Sequence, residues 1–423
     1  MKRAAPESPV GATLAPLFLT VFIDLLGFGL ILPLLPFFAG SFGASPLDIG
    51  LITASYAAAQ FVGAPILGRL SDRYGRRPVL MLSVLGTSLG FVLLGLAEPL
   101  GAVVGSSLAV IYASRVLAGL TGGNITVAQA YIADVTDEKG RTRALGMIGA
   151  AFGLGFIFGP AIGGFLSTYG FAVPAFAAAA LAAVNFCLIA IRLPESLTPE
   201  RRAALLGRAR PALGLGSLTS ALSRPMVGPL LQIRFVFGFA FVIFQTVFAL
   251  YAQYRLGLDA RSTSFVLSYV GVLSVVTQAV IIGRLATRFA DGTLIVGSII
   301  LMCLGLLAWA LVPTLPLLLV VLAPMSISGG ILNTVLNSAL TKTVRPEEVG
   351  GMLGIGAAVE SLTRVAAPAV GGILLQELGT AAPGLFAGVL LALLIPYAWR
   401  QLSPLPIGLP RPAIVPEVSE QTV

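Results

Sequence analysis

Apolar residues fall into twelve runs of about twenty, each long enough to cross a bilayer, and polar residues collect in the gaps. The runs cover approximately 14–38, 47–70, 78–97, 106–133, 144–167, 171–191, 230–254, 262–286, 292–312, 316–341, 351–376 and 383–402. Apolar positions inside them are near-continuous and do not alternate with polar ones, which excludes half-buried strands. In lipid every backbone N–H and C=O must be bonded internally, so runs of this length are helices. The pattern predicts an all-α membrane protein with 12 transmembrane helices. Composition agrees: of 423 residues 57% are hydrophobic and 10% charged, outside the range of soluble domains.

Charge then orients the spans. An even number puts both termini on one face. If that face is cytoplasmic, every Lys and Arg lies in a cytoplasmic segment or helix end, except Arg115 and Arg364 inside spans and Arg255 and Arg261 outside. Positively charged loops are retained in the cytoplasm, so a multi-pass protein with both termini cytoplasmic is expected. The net charge of +8 is accounted for by this topology, and no segment is large enough to fold into a basic face for nucleic acid. The first run lacks a small-residue cleavage site and leads straight into a second, so it is expected to stay as span 1. Cys187 and Cys303 lie inside spans and give no disulfide framework. Abundant Ala and Gly, with Arg far in excess of Lys, fit a GC-rich bacterial source and hence the inner membrane.

The longest polar stretch, Leu193 to Arg224, separates six spans from six. It carries Glu195, Glu200, Arg201, Arg202, Arg208 and Arg210 with several Pro and Gly, the composition of a linker, and a short surface helix is expected near 199–209. The expected organisation is a bundle over 1–192, a cytoplasmic linker over 193–225, a bundle over 226–402 and a cytoplasmic tail over 403–423. The halves echo each other. Gly68-Arg-Leu-Ser-Asp-Arg-Tyr74 after span 2 matches Gly283-Arg-Leu-Ala-Thr-Arg-Phe289 after span 8, and Pro160-Ala-Ile-Gly-Gly164 matches Pro368-Ala-Val-Gly-Gly372. Such an internal repeat is typical of transporters that rock two bundles about a central site.

Three segments carry a more specific likeness: Gly68 to Pro78, Arg115-Val-Leu-Ala-Gly-Leu-Thr-Gly122 with Tyr131-Ile-Ala-Asp134, and Gly149 to Gly164. Through them the chain resembles the major facilitator superfamily over its whole length, and within it the tetracycline-type drug:proton antiporters. That group uses a membrane histidine; this chain has none. The resemblance implies two pseudo-symmetric six-helix bundles. It also implies a gating loop of Gly68, Arg69, Asp72, Arg73, Gly75, Arg76 and Arg77. In it Asp72, set among four arginines, would latch onto a helix N-terminus of the other half. Positive-inside charge alone would not call for Asp72, Gly68 and Gly75. In span 5, Gly155, Gly159 and Gly163 recur every fourth residue, with Gly149 and Gly153 one strip over, a spacing that lets another helix approach closely. Pro160 removes a backbone donor and permits a bend. With the span-5 antiporter signature this implies a packed hinge between the halves.

Ionisable residues inside spans are costly unless they face a cavity and are paired. Asp24 in span 1 and Arg115 in span 4 are the first candidate pair for proton coupling. Glu360 and Arg364, four apart on one face of span 11, are the second. Burial favours the neutral form of a carboxyl and a nearby guanidinium favours the anion, and a group between those influences can exchange a proton as access alternates. A static salt bridge is the plainer alternative for either pair. Tyr56, Gln60, Asn124, Gln245, Gln278, Asn333 and Asn337 could complete a cavity for a small amphipathic organic substrate. The stripe Phe241, Phe244, Phe248 and Tyr251 reads more readily as helix packing than as ligand contact.

No nucleotide-binding lysine loop is present, and with no His and two isolated Cys no metal site or cofactor is expected. The leading function is proton-coupled export by a monomer. An uptake carrier is the same-fold alternative. A membrane enzyme would need a nucleophile–base pair, and a sensor or scaffold would need a sizeable domain outside the membrane.

Overall fold

The computed structural model describes residues 10–136, 138–198, 200, 202–203, 215–345 and 348–402. Twelve helices among them are long and apolar enough to span a bilayer: Leu14–Ile31, Pro46–Tyr74, Arg76–Gly95, Ser107–Val135, Gly146–Tyr169, Ala172–Arg192, Val227–Leu256, Ala260–Ala286, Asp291–Leu311, Leu315–Lys342, Val349–Leu378 and Ala382–Leu402. We call these spans 1 to 12. Local chemistry explains several ends. Ser45 and Asp48 form a reciprocal capping box at the start of span 2, where Pro46 takes the first helical position. Gly75, at φ 109°, makes the reversal between spans 2 and 3. At span 8 the Asp259 carboxylate accepts the Ser262 N–H at 2.8 Å, and that bond holds its carboxyl below the usual range.

Three spans depart from the uninterrupted helices expected. Span 1 stops at Ile31, ahead of Pro33, and a separate short helix, Leu35–Gly40, follows. Span 4 breaks at Gly122-Gly123 into Ser107–Thr121 and Asn124–Val135. Span 8 contains a π-helical segment at Thr277–Ile281. The surface helix expected near 199–209 lies largely outside the described residues.

The packing order reveals the repeat. Span 1 packs on spans 5 and 6, span 2 on span 4, and span 3 on spans 4 and 6. Adding six to each number gives 7 on 11 and 12, 8 on 10, and 9 on 10 and 12, all of which are observed. The halves are therefore pseudo-symmetric six-helix bundles. They meet through spans 2 and 11 and through spans 5 and 8, two contacts that the same sixfold shift also interchanges.

Glycines show where helices touch backbone to backbone. A Cβ added at Gly372 would lie 2.9 Å from the Cα of Leu47, and one at Gly50 would lie 2.9 Å from the carbonyl carbon of Pro368. At Gly271 it would lie 2.6 Å from the Phe156 carbonyl oxygen. Gly50, Gly372 and Gly271 lie in the halves of spans 2, 11 and 8 away from the face that carries both termini. Towards that face, a Cβ at Gly68, Gly149, Gly283, Gly350 or Gly351 meets no atom within 4 Å among the described residues. The backbone contacts between the bundles at Gly50, Gly372 and Gly271 thus lie away from the terminal face.

One expectation about span 5 is corrected here. Gly155 and Gly159 do not lie between the halves but press on span 1 of their own half. A Cβ at Gly159 would come within 2.7 Å of the Gly29 Cα, and one at Gly155 within 2.9 Å of the Leu25 Cβ; Gly163 faces Leu30. The neighbouring strip, with Gly153 against Val275 and Gly164 against Ser264, faces the other half. The small residues are split between two helix faces that the spacing alone does not assign. Gly159→Ala should lower stability by about 1–3 kcal/mol, since the crowding atoms are backbone. Gly149→Ala should be neutral to slightly stabilising. Thermal unfolding of the two purified variants checks this; equal midpoints would remove the close span 1–span 5 packing.

Candidate functional site

The break in span 4 builds the first-half site. Two adjacent glycines let the chain leave helical geometry, and the backbone group this frees is bonded by a side chain, as the membrane interior requires. Gln60 of span 2 donates from Nε2 to the Gly122 carbonyl at 2.8 Å. The Ser83 hydroxyl donates to the Thr121 carbonyl. The helix restarts at Asn124, whose side chain accepts the Ile125 N–H at 2.9 Å and lines a small cavity together with Asp24 of span 1. Thr20 and Ile125 line the same cavity. Asp24 thus sits beside the N-terminus of a half-helix, where the macrodipole is positive.

Arg115, nine residues before Asn124 and on the other side of the break, does not line that cavity. Its Nε donates to Ser114 Oγ at 3.2 Å and its guanidinium lies 5.5 Å from the centre of the Phe91 ring. The side chain is 4% exposed and Nη2 has no hydrogen-bond partner among the described residues. The expected Asp24–Arg115 pair is therefore not formed. That separation is about 13 Å along a helix, and it is Asn124 that shares a cavity with Asp24. The Tyr56 hydroxyl of span 2 accepts from Gln60 Nε2 at 3.3 Å, beside the break, and its ring lies 5.8 Å from that of Phe28 in span 1.

The second-half site is an ion-pair network. Glu360 accepts from Arg364 at 2.6 Å, as their i, i+4 spacing predicts, and also from Arg234 Nη2 of span 7 at 2.8 Å. Arg234 Nη1 donates to Asn337 Oδ1 at 2.6 Å, and Asn337 Nδ2 donates to the Asn333 carbonyl at 3.0 Å. Sequence inspection missed Arg234 by counting it among helix-end arginines. The helix starts at Val227, which puts Arg234 about 10 Å inside its end, and its apolar neighbours were the available signal. Gln245 and Gln278 are exposed and join neither network among the described residues. The aromatic stripe packs within its own half: Phe244 and Tyr251 lie 4.8 Å and 4.4 Å from Trp309, and the Tyr251 hydroxyl donates to its carbonyl at 2.6 Å.

The loop between spans 2 and 3 is tied into the first half. Arg76 and Asp72 are both buried and paired at 2.6 Å, while Arg69 and Arg73 are exposed. Arg76 Nε also binds Asp134 at 2.9 Å. Glu195, just past span 6, accepts the backbone N–H groups of Arg76 and Arg77 at 2.8 Å and 3.1 Å and so caps span 3 in place of a local side chain. Arg77 donates to the Ala190 carbonyl. Of the four arginines around Asp72, Arg76 is the one buried with it, where its guanidinium reaches both Asp72 and Asp134.

Comparison with known proteins places this arrangement. The sequence pattern of the Major Facilitator Superfamily matches residues 17–296 and 235–420. Tetracycline resistance protein, class C, of Escherichia coli is 32% identical over 356 residues, covering 83% of this chain and 86% of that one. Multidrug resistance protein 2 of Bacillus subtilis (strain 168) is 29% identical over 386 residues, covering 90% and 93%. A mutant of the nucleoside transporter NupG has the same fold, with a TM-score of 0.78 at 13% identity over 92% of this chain and 99% of that one. The chain belongs to the Major Facilitator Superfamily: it is a multi-pass, secondary-active transporter of a small organic solute and not an enzyme.

Removing the guanidinium from the buried triad should be costly. Arg76→Ala leaves Asp72 and Asp134 without it and should destabilise the protein by about 3–5 kcal/mol, with Arg76→Lys intermediate because one ammonium cannot serve both carboxylates as a fork does. Thermal unfolding measures both, and wild-type midpoints would show that the triad contributes nothing to the fold.

Proposed function

We propose that this member of the superfamily is a proton-driven exporter of an amphipathic organic molecule, in the manner of the drug:proton antiporters, working as a monomer in a bacterial inner membrane. The observation that carries the proposal is Asp24. It is a carboxyl inside the membrane that shares a small cavity with the neutral Asn124 amide at a helix break, and among the described residues it forms no ion pair with a guanidinium. A proton can join or leave it without dismantling an ion pair. Glu360 differs, since protonation there breaks charge-assisted bonds to both Arg234 and Arg364. Asp24 is accordingly the first carrier and Glu360 the second, with Arg364 holding Glu360. Relatives named for tetracycline and multidrug resistance support the export direction.

Termini in the cytoplasm follow from the positive charge of the terminal-face segments. In that orientation the close contacts between the bundles lie towards the outside, which supports a cavity that opens to the cytoplasm. Tyr56, Gln60 and Asn124 of one half and Asn333 and Asn337 of the other then line the route between the bundles. The Asp72–Arg76–Asp134 cluster would engage the second half when the cytoplasmic side closes, which makes the loop of Gly68, Arg69, Asp72, Arg73, Gly75, Arg76 and Arg77 the gate. The span-5 strip of Gly149, Gly153, Gly155, Gly159, Pro160 and Gly163 carries the movement, sliding on span 8 while it stays packed on span 1.

Two experiments test this. In a Cys187→Ser background, Ser41→Cys and Arg255→Cys should react with a membrane-impermeant maleimide added outside intact cells; labelling only after lysis would reverse the topology. In vesicles loaded with a substrate found by a growth screen in pump-deficient cells, Asp24→Asn should keep exchange down the substrate's gradient and lose uphill, proton-driven transport. Uphill pumping by Asp24→Asn with failure of Glu360→Gln would move the carrier to span 11, and pumping by both variants would sink the coupling mechanism.

A further inference from the structure

Arg115 has no function in the mechanism above and is held in an unusual way. A buried guanidinium normally has a carboxylate within reach, because an uncompensated charge inside the membrane is among the costliest features a fold can carry. Around Arg115 the structure supplies the Ser114 hydroxyl and an aromatic face, and Nη2 is left without an acceptor among the described residues. The Tyr56 hydroxyl already accepts the Gln60 amide, so its own hydrogen is free to be donated in turn. Tyr56 stands on span 2, which packs on span 4, and on the second half Arg364 has 55% of its side chain exposed. The central ionisable groups are also unbalanced, with Arg115, Arg234 and Arg364 against Asp24 and Glu360.

We infer that Arg115 and Tyr56 form a subsite for an acidic group, a carboxylate or its equivalent, on the transported molecule, with Arg364 completing it from the other half. The inference rests on the transport function proposed above and names its substrate class. Combined with exchange against a proton it specifies more. A bound anion alone would favour the proton on nearby Asp24, and the two would travel together. For exchange the same molecule must bring a basic group that competes with the proton at Asp24. The substrate is thus amphoteric, acidic at the Arg115 end and basic at the Asp24 end.

The test uses one aryl frame in three charge states with the purified full chain in detergent: 4-(piperazin-1-yl)benzoic acid as zwitterion, its methyl ester as cation and its N-acetyl derivative as anion. Binding is measured calorimetrically, without a gradient. Arg115→Gln should weaken both carboxylate-bearing probes at least about tenfold, the worth of a charge-assisted hydrogen bond, and leave the ester unchanged. Tyr56→Phe and Arg364→Gln should weaken the same two probes several-fold, and they decide the matter if Arg115→Gln does not yield folded protein. Carboxylate probes that bind wild type no tighter than the ester, or substitutions that weaken all three alike, overturn the subsite. A zwitterion that binds no tighter than the anion, while Arg115→Gln still weakens both, leaves the subsite standing and instead overturns proton exchange at Asp24.

Discussion

The need to bond every backbone group inside lipid governs this molecule more than any single contact. It makes the spans helices, and it makes any departure from a helix conspicuous, because a freed carbonyl has no water to turn to. The opening of span 4 at Gly122-Gly123 meets that need with Gln60. The same bond brings Tyr56 to the break, and the restarted helix presents Asn124 to the cavity that Asp24 lines. A local solution to a backbone problem thus assembles much of the first-half site.

The two halves hold charge differently. The second carries a closed network in which one carboxylate serves two guanidiniums and an asparagine steadies one of them. At the centre of the first, Asp24 and Arg115 form no pair, and its matched charges, Asp72 and Asp134 on Arg76, lie at the ends of spans 2 and 4.

The sequence made the fold legible because each of its determinants is local: span length, positive loops, and repeated motifs at matching places in two sets of six. Glu360 with Arg364 was equally legible, both residues lying on one helix at a fixed spacing. Asp24 with Arg115 was not, because a contact between helices depends on their rotation and on where a helix breaks. The glycine pair in span 4 was a usable sign, whereas nothing in Thr277–Ile281 announces a π-helical turn. Glu195 was seen only as a linker charge, since its role depends on the chain folding back over the start of span 3. The strip of Gly155, Gly159 and Gly163 was correctly read as a close-packing face and assigned to the wrong neighbour, as spacing gives a face but not its partner.

The backbone-to-backbone contacts near one end of the bundles also set a mechanical advantage. Span 11 has 30 residues, about 45 Å of helix, and touches span 2 near its far end, at Pro368 and Gly372. With so little side chain between them, the helices can tilt there as a fulcrum without repacking. A tilt of about 10° at that point displaces the opposite end, roughly 30 Å away, by roughly 5–6 Å. If the bundles rock about this contact, the width of a passage at one surface is governed by the clearance at the other, and a methyl group in that clearance would shorten the stroke.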